Sequence, residues 1–288
     1  MREIKQWQAD VALVLVTAIW GSTFIIVKQV LDVVGPLVFV AGRFWVATMA
    51  LTLGLARQRA RFDLGARLWR AGALTGGWLT VGFVTQTIGL QTTTAGKAAF
   101  ITGLSVVLVP IFAALLLHDP PTRAAVAGVV LATTGLGVMT LNATLDFAAG
   151  DLWVLACAVG FAGHILSTGH FAPRHEVLAF TWVQLFTAAI LTSAAAVVFE
   201  AGTLTPPRAA LPAMIYMGLV ASALVFGVQT WAQRHTTSTH TALIFALEPV
   251  WAAVFAVTLG GEMLAAREWI GGGVILLGMI VAEVRAGG

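Results

Sequence analysis

Apolar stretches of a similar length follow one another along the whole chain, separated by short clusters of charge, glycine or proline. They run near 10–30, 36–56, 70–91, 95–117, 122–142, 151–170, 177–199, 209–231, 238–260 and 266–284. A helix needs about 20 apolar residues to cross the hydrocarbon layer. The pattern therefore predicts an all-α integral membrane protein with about ten transmembrane helices. Polar and aromatic positions inside the stretches fall at helical spacing. Thr17, Trp20, Phe24 and Lys28 make one stripe, Phe161, His164 and Thr168 a second, and Thr237, His240 or Thr241, Ile244, Glu248 and Trp251 a third. The opening Met1-Arg2-Glu3-Ile4-Lys5 looks superficially like a secretory signal. Its apolar run continues to about Val30 without a small-residue cleavage site, so a retained first helix is expected. The linking segments are short, which places any function inside the bundle.

Self-comparison at a shift of 141 to 144 residues brings the two halves into register. Phe39–Ala47 then lies over Phe180–Ala188, Thr92–Ala98 over Thr236–Ala242, and Gly128 and Gly135 over Gly271 and Gly278. Each half, 1–145 and 146–288, holds five spans. An odd number turns the second half over in the membrane, which predicts an inverted 5+5 repeat. Two inverted copies enclosing a central site are the arrangement that lets a carrier open alternately to either side. The glycines of the fifth and tenth spans are read as packing positions, since small residues let helices approach closely in lipid.

Composition agrees. Hydrophobic residues make up 59% and charged residues 10%, where a soluble domain carries roughly 25% charged residues, and the mean hydropathy is +0.91. The solvent of most of this surface is lipid. The net charge is only +3, and arginines gather between apolar runs, so no nucleic-acid partner is expected. With a cytoplasmic N-terminus, Arg2, Lys5, Arg57, Arg59, Arg61, Arg67, Arg70, Arg123, Arg174, Arg234 and Arg285 are inside, against Lys28, Lys97, Arg208 and Arg267 outside. That asymmetry predicts an inner-membrane protein with both termini cytoplasmic. The basic run Arg57 to Arg70 reads first as the topology anchor and second as a contact for anionic lipid. Cys157, the single cysteine, excludes a disulfide framework and a thiolate metal cluster.

Several motifs resemble a family. Ala18-Ile19-Trp20-Gly21-Ser22-Thr23-Phe24, Arg43-Phe44, Thr94-Ala95-Gly96-Lys97-Ala98-Ala99-Phe100, Ala246-Leu247-Glu248-Pro249-Val250 and Gly261-Glu262, in this order over ten spans, resemble the EamA branch of the drug/metabolite transporter superfamily. The resemblance implies export of small metabolites across the inner membrane, most closely in the manner of YddG-type exporters of aromatic amino acids. Multidrug and nucleoside-type exporters belong to the same superfamily and stand as the alternative. Gly160-Phe161-Ala162-Gly163 departs from the first-half signature, which leaves the subfamily open.

Ionisable side chains within a bilayer are costly and usually face a cavity or one another. The candidates are Arg43, Lys97, His164, His240 and Glu248, and the repeat register sets Trp20, Thr23, Arg43 and Lys97 against Phe161, His164, Gln184 and Thr241. This asymmetry suits a zwitterion such as an amino acid. Arg43 or Lys97 would attract the carboxylate and Glu248 the ammonium, with Trp20, Trp78 or Trp182 as wall. Each residue has a structural reading beside this one. Glu248 can be the buried partner of a cation, Lys97 can snorkel to the interface, the histidines can be satisfied packing residues, and Trp7, Trp69 and Trp269 fit an interfacial belt. Pro110 and Pro249 interrupt the fourth and ninth spans and are candidate hinges for gating. Glu248 or His164 could carry a proton, while facilitated export needs no ion site.

An embedded enzyme or a channel is the competing class. Aspartates 10, 32, 63, 119, 146 and 151 are scattered, His175-Glu176 lacks a second histidine, Gly103-Leu104-Ser105 lacks a following glycine, and no phosphate-binding loop is present. No enzymatic activity, cofactor or metal is expected. The partners expected are a small-molecule substrate and the lipid bilayer, with monomer and homodimer both open.

Overall fold

The computed structural model describes residues 6–57, 65–93, 95–140, 149–258 and 265–284, and these are helical apart from short turns. Arg2, Lys5, Arg59, Arg61, Arg285, Asp63, Asp146, Thr94, Gly261 and Glu262 lie outside the described residues, as do the side chains of Phe24, Lys28 and Lys97. The first three spans are α1 (Gln6–Val30), α2 (Pro36–Arg57) and α3 (Ala66–Leu90). The fourth is divided into α4 (Ala95–Gly103) and α5 (Ser105–Leu116), and α6 (Arg123–Thr140) is the fifth. Spans six and seven are α7 (Ala149–Phe171) and α8 (Val177–Phe199). The eighth joins α9 (Leu211–Gly218) to α10 (Val225–Ala232) through a π-helical turn, Leu219–Leu224. The ninth is divided into α11 (Ser238–Phe245) and α12 (Glu248–Thr258), and α13 (Ala266–Val284) closes the chain.

Local chemistry sets these ends. Pro36 opens α2, where its missing N–H would have had no partner. Glu176 caps α8 by accepting from Ala179 N at 2.7 Å, and Thr237 caps α11 by accepting from His240 N at 3.1 Å. Each expected span is present within a few residues of its predicted limits. The unexpected features are the breaks and the π turn. Pro110 does not break its span: it lies inside α5, while the chain interrupts at Leu104. There Gly103 leaves space that Leu136 of α6 fills, since a Cβ on Gly103 would stand 2.1 Å from Leu136 Cδ2. Pro249 sits in the first turn of α12, just past the break at Ala246–Leu247.

Five helical segments are long and apolar enough, by length and composition, to cross a membrane: Pro36–Arg57, Ala149–Arg174, Val177–Phe199, Arg208–Ala232 and Ser238–Phe255. Phe100–Leu116 and Arg123–Met139 are shorter apolar helices. The outer surface shows Leu15, Met49, Leu53, Leu115, Val130, Val198 and Ile280, which is the apolar belt that lipid requires. Trp7 and Trp269 are exposed near helix ends, while Trp69 packs edge-on against Trp182.

Packing pairs exchange when the halves are exchanged. α3 packs on α7 as α1 packs on α9 and α10; α3 on α8 as α2 on α9; α4 and α5 on α7 as α11 and α12 on α1. The pairs α6 with α13 and α2 with α8 map onto themselves. The glycines of α6 and α13 carry it to atomic detail. A Cβ on Gly128 would stand 2.6 Å from the Gly278 carbonyl oxygen, and one on Gly135 would stand 2.6 Å from that of Gly271. Position 128 facing 278 while 135 faces 271 makes the two helices antiparallel, and the repeat register converts one contact into the other.

Candidate functional site

Arg43 of α2 is 4% exposed and lies where the two halves meet. Its Nε donates to Ser222 Oγ at 3.0 Å and its Nη2 to the Ala221 carbonyl at 3.2 Å. The same carbonyl accepts from Trp20 Nε1 at 3.1 Å. Ala221 and Ser222 belong to the π turn, whose wider winding alters the regular α-helical pairing of carbonyls. Gly218 brings that turn against α2: a Cβ there would stand 2.8 Å from the Arg43 carbonyl oxygen. The guanidinium carbon lies 4.9 Å from the centroid of the Phe83 ring and 5.6 Å from that of Phe44, within cation–π range.

Aromatic rings continue from there. Phe83 meets Phe44 at 5.2 Å and Phe161 at 5.3 Å, both edge-on, and Phe226 lies 5.5 Å from the His164 ring. Trp20 adjoins Phe226 at 5.6 Å and Phe245 at 5.1 Å. Close helix approach makes room for them: a Cβ on Gly160 would stand 2.5 Å from Gly82 N.

On the far side of His164, Nε2 lies 3.1 Å from Gln184 Oε1. Gln184 Nε2 reaches Thr230 Oγ1 at 3.5 Å, and Thr181 Oγ1 donates to the same hydroxyl at 3.0 Å. A second polar group joins the third, fourth and sixth spans. Gln86 Nε2 donates to Thr102 Oγ1 at 3.4 Å, and Thr102 Oγ1 lies 3.7 Å from Cys157 Sγ. Neither Arg43 nor Glu248 has an oppositely charged partner among the described residues. Nor do three or more His, Cys, Asp or Glu side chains gather as a metal site among them.

Both halves contribute to this centre, and a model of the EamA-like transporter family matches both of them, over residues 7–141 and 148–283. The chain belongs to the EamA-like transporter family. An uncharacterized transporter of Archaeoglobus fulgidus is 32% identical over 282 residues, covering 98% of this chain and 88% of that protein. A probable terminal-alkyne amino-acid exporter of Streptantibioticus cattleyicolor is 28% identical over 297 residues, covering 98% and 95%. A crystal structure sharing 20% identity superposes with a TM-score of 0.81 over 98% of this chain and 99% of its own, a likeness of fold. The EamA assignment makes the protein a membrane-spanning transporter, and it points away from an enzyme.

Within this EamA fold, Trp20, Arg43, His164 and Gln184 come together at the centre. Thr23 turns its hydroxyl to its own helix, donating to the Trp20 carbonyl at 2.7 Å. Trp78 packs on α7, its ring over Gly163, where a Cβ would stand 2.5 Å from Trp78 Cδ2. Trp182 is not with Arg43. It stacks on Phe186 at 5.0 Å and donates from Nε1 to Thr52 Oγ1 at 2.8 Å. It lies two positions before Gln184, which on a helix points the two side chains about 200° apart. Lys97 belongs to α4, with its side chain outside the described residues. Phe83, Phe226, Ser222 and Ala221 are central and carried no sequence signal beyond lying near Gly82 and within an apolar run.

Proposed function

We propose that the protein is a secondary transporter that exports small zwitterionic metabolites, amino acids foremost, across the bacterial inner membrane. The two inverted five-span halves, 1–145 and 146–288, alternate in opening the central site, and both termini are cytoplasmic. The observation that carries this reading is Arg43, a buried cation without a carboxylate partner among the described residues. Burying a charge within a bilayer costs several kcal/mol, and an arriving substrate carboxylate offsets that cost with charge-assisted hydrogen bonds. The phenyl rings about Arg43 form an apolar wall suited to a hydrophobic side chain, and Glu248 supplies the opposite charge for an ammonium. The name of the Streptantibioticus relative, an amino-acid exporter, supports the same class.

The test is counterflow in liposomes holding purified protein, with a panel of labelled amino acids, nucleosides and cationic drugs. Amino acids are expected to exchange. Arg43→Gln should weaken the apparent affinity about 10- to 100-fold, the loss of a charged hydrogen-bonded contact, and Glu248→Gln should act in the same direction. Unchanged amino-acid counterflow in both variants would refute the zwitterion reading.

A further inference from the structure

Asp10 and Asp151 stand at matching positions of the two repeats, in the same register that sets Trp20 over Phe161. Each lies near the start of its helix, α1 and α7, and each meets the beginning of a broken span in the other half. Asp151 accepts from the Thr93 hydroxyl in the turn before α4. Asp10 Oδ1 lies 3.4 Å from His240 Nε2 in the first turn of α11. The contact is one turn further into the helix in the second case. Otherwise the two junctions are counterparts: carboxylate of one repeat, start of the fourth-type span of the other.

The junctions are closed tightly. The Asp10 and His240 side chains are 16% and 11% exposed, and Asp151 is 7% exposed. Beside Asp151, a Cβ on Gly150 would stand 2.5 Å from the Gly89 carbonyl oxygen and 2.6 Å from Thr92 Oγ1. Five spans separate α1 from α7, so the two junctions lie at opposite faces of the membrane. The Arg43 centre lies between them in the chain's path through the bilayer.

We propose that Asp10–His240 and Asp151–Thr93 are the paired gate latches of the transporter, one for each face. The inference rests on the alternating-access reading above. Each latch ties one half to the other, so any relative motion that admits substrate from a face must part the latch at that face. The breaks at Leu104 and Leu247 give α4 and α11 the freedom to swing away while α5 and α12 stay packed on α7 and α1. Both latches are engaged in this structure.

Cys157, the only cysteine and a buried one, serves as a native reporter between the two gates. Its labelling by a membrane-impermeant maleimide is measured from each side of oriented membrane vesicles. Asp10→Asn and His240→Ala should raise labelling from the Asp10 face about tenfold and leave the other face unchanged, and Asp151→Asn and Thr93→Val should do the reverse; tenfold is the order expected for one lost contact to a charged group. Equal gains from both faces, or none, would overturn the proposal. Should these variants fold poorly, Asp10→Cys with His240→Cys, bridged by a short bis-methanethiosulfonate, is expected to stop counterflow until the bridge is reduced. Counterflow that continues through the bridge also overturns it. Wild-type protein lacking all counterflow would sink the carrier reading instead, which keeps the two failures apart.

Discussion

Glu200 shows how much one side chain can do outside the Arg43 centre. Its carboxylate accepts from Leu37 N and Val38 N, both at 2.9 Å, and so caps the start of α2 from the end of α8. Gly35 leaves the space, since a Cβ there would stand 2.3 Å from Glu200 Oε2. Glu200→Gln keeps one acceptor and loses the charge at a helix N-terminus, a destabilisation of about 1–2 kcal/mol. The expected readout is a melting temperature in detergent lowered by a few degrees, with counterflow kept. Gly35→Ala should produce a similar loss and add little in the Glu200→Gln background, because both act on one contact. No local pattern announces this cap, whose partners lie in different halves. Arg43, His164 and Gln184 were legible for the opposite reason: a polar group in an apolar run is rare, and helical spacing says which rings share its face. Phe83 and Phe226 were not, because a phenylalanine among leucines and valines looks the same whether it faces lipid, a neighbour or a cavity.

Among elements, the fourth and ninth spans carry the same interruption by different local means. Leu104 follows Gly103 and precedes a helix that contains Pro110, whereas Leu247 precedes a helix whose first turn contains Pro249. Proline in a first turn removes an N–H that lacks an intrahelical acceptor, so it favours a fresh start. The sequence marked both prolines as hinges, but only Pro249 lies next to a break. Pro249→Ala is therefore expected to let α11 and α12 join more readily, lowering the counterflow rate several-fold without loss of thermal stability. Pro110→Ala should leave the rate within about twofold, since α5 is already continuous across it. Initial rates of exchange in liposomes compare the two directly, and equal loss in both would remove the link between the break and gating. The π turn at Leu219–Leu224 had no signature at all. Within it the carbonyl of Ala221 accepts from both Trp20 and Arg43.

At the scale of the molecule, ten spans and their limits were readable because lipid leaves a chain few options: backbone groups must be paired within each helix, and apolar length is then a direct ruler. The repeat was readable from glycine register, and its meaning came with the packing. The contact of Gly135 with Gly271 is approached from both sides at equal closeness, a Cβ on either lying 2.6 or 2.5 Å from the other's carbonyl oxygen. Gly135→Ala and Gly271→Ala must each push α6 and α13 apart, an overpacking cost of about 1–3 kcal/mol. If the halves are true counterparts, Gly278→Ala, the repeat partner of Gly135→Ala, should match its cost within about 0.5 kcal/mol, and joining Gly135→Ala with Gly271→Ala should cost less than their sum, because one separation accommodates both methyl groups. Gly273 lies on the same helix with nothing within 4 Å of its Cβ direction, so Gly273→Ala should be neutral or gain about 0.5–1 kcal/mol from the lower helical penalty of alanine. Thermal unfolding of these variants in one detergent measures all of this. Unequal losses at positions 135 and 278 would mean that the pairing of α6 with α13 is a local fit and owes nothing to the exchange of halves.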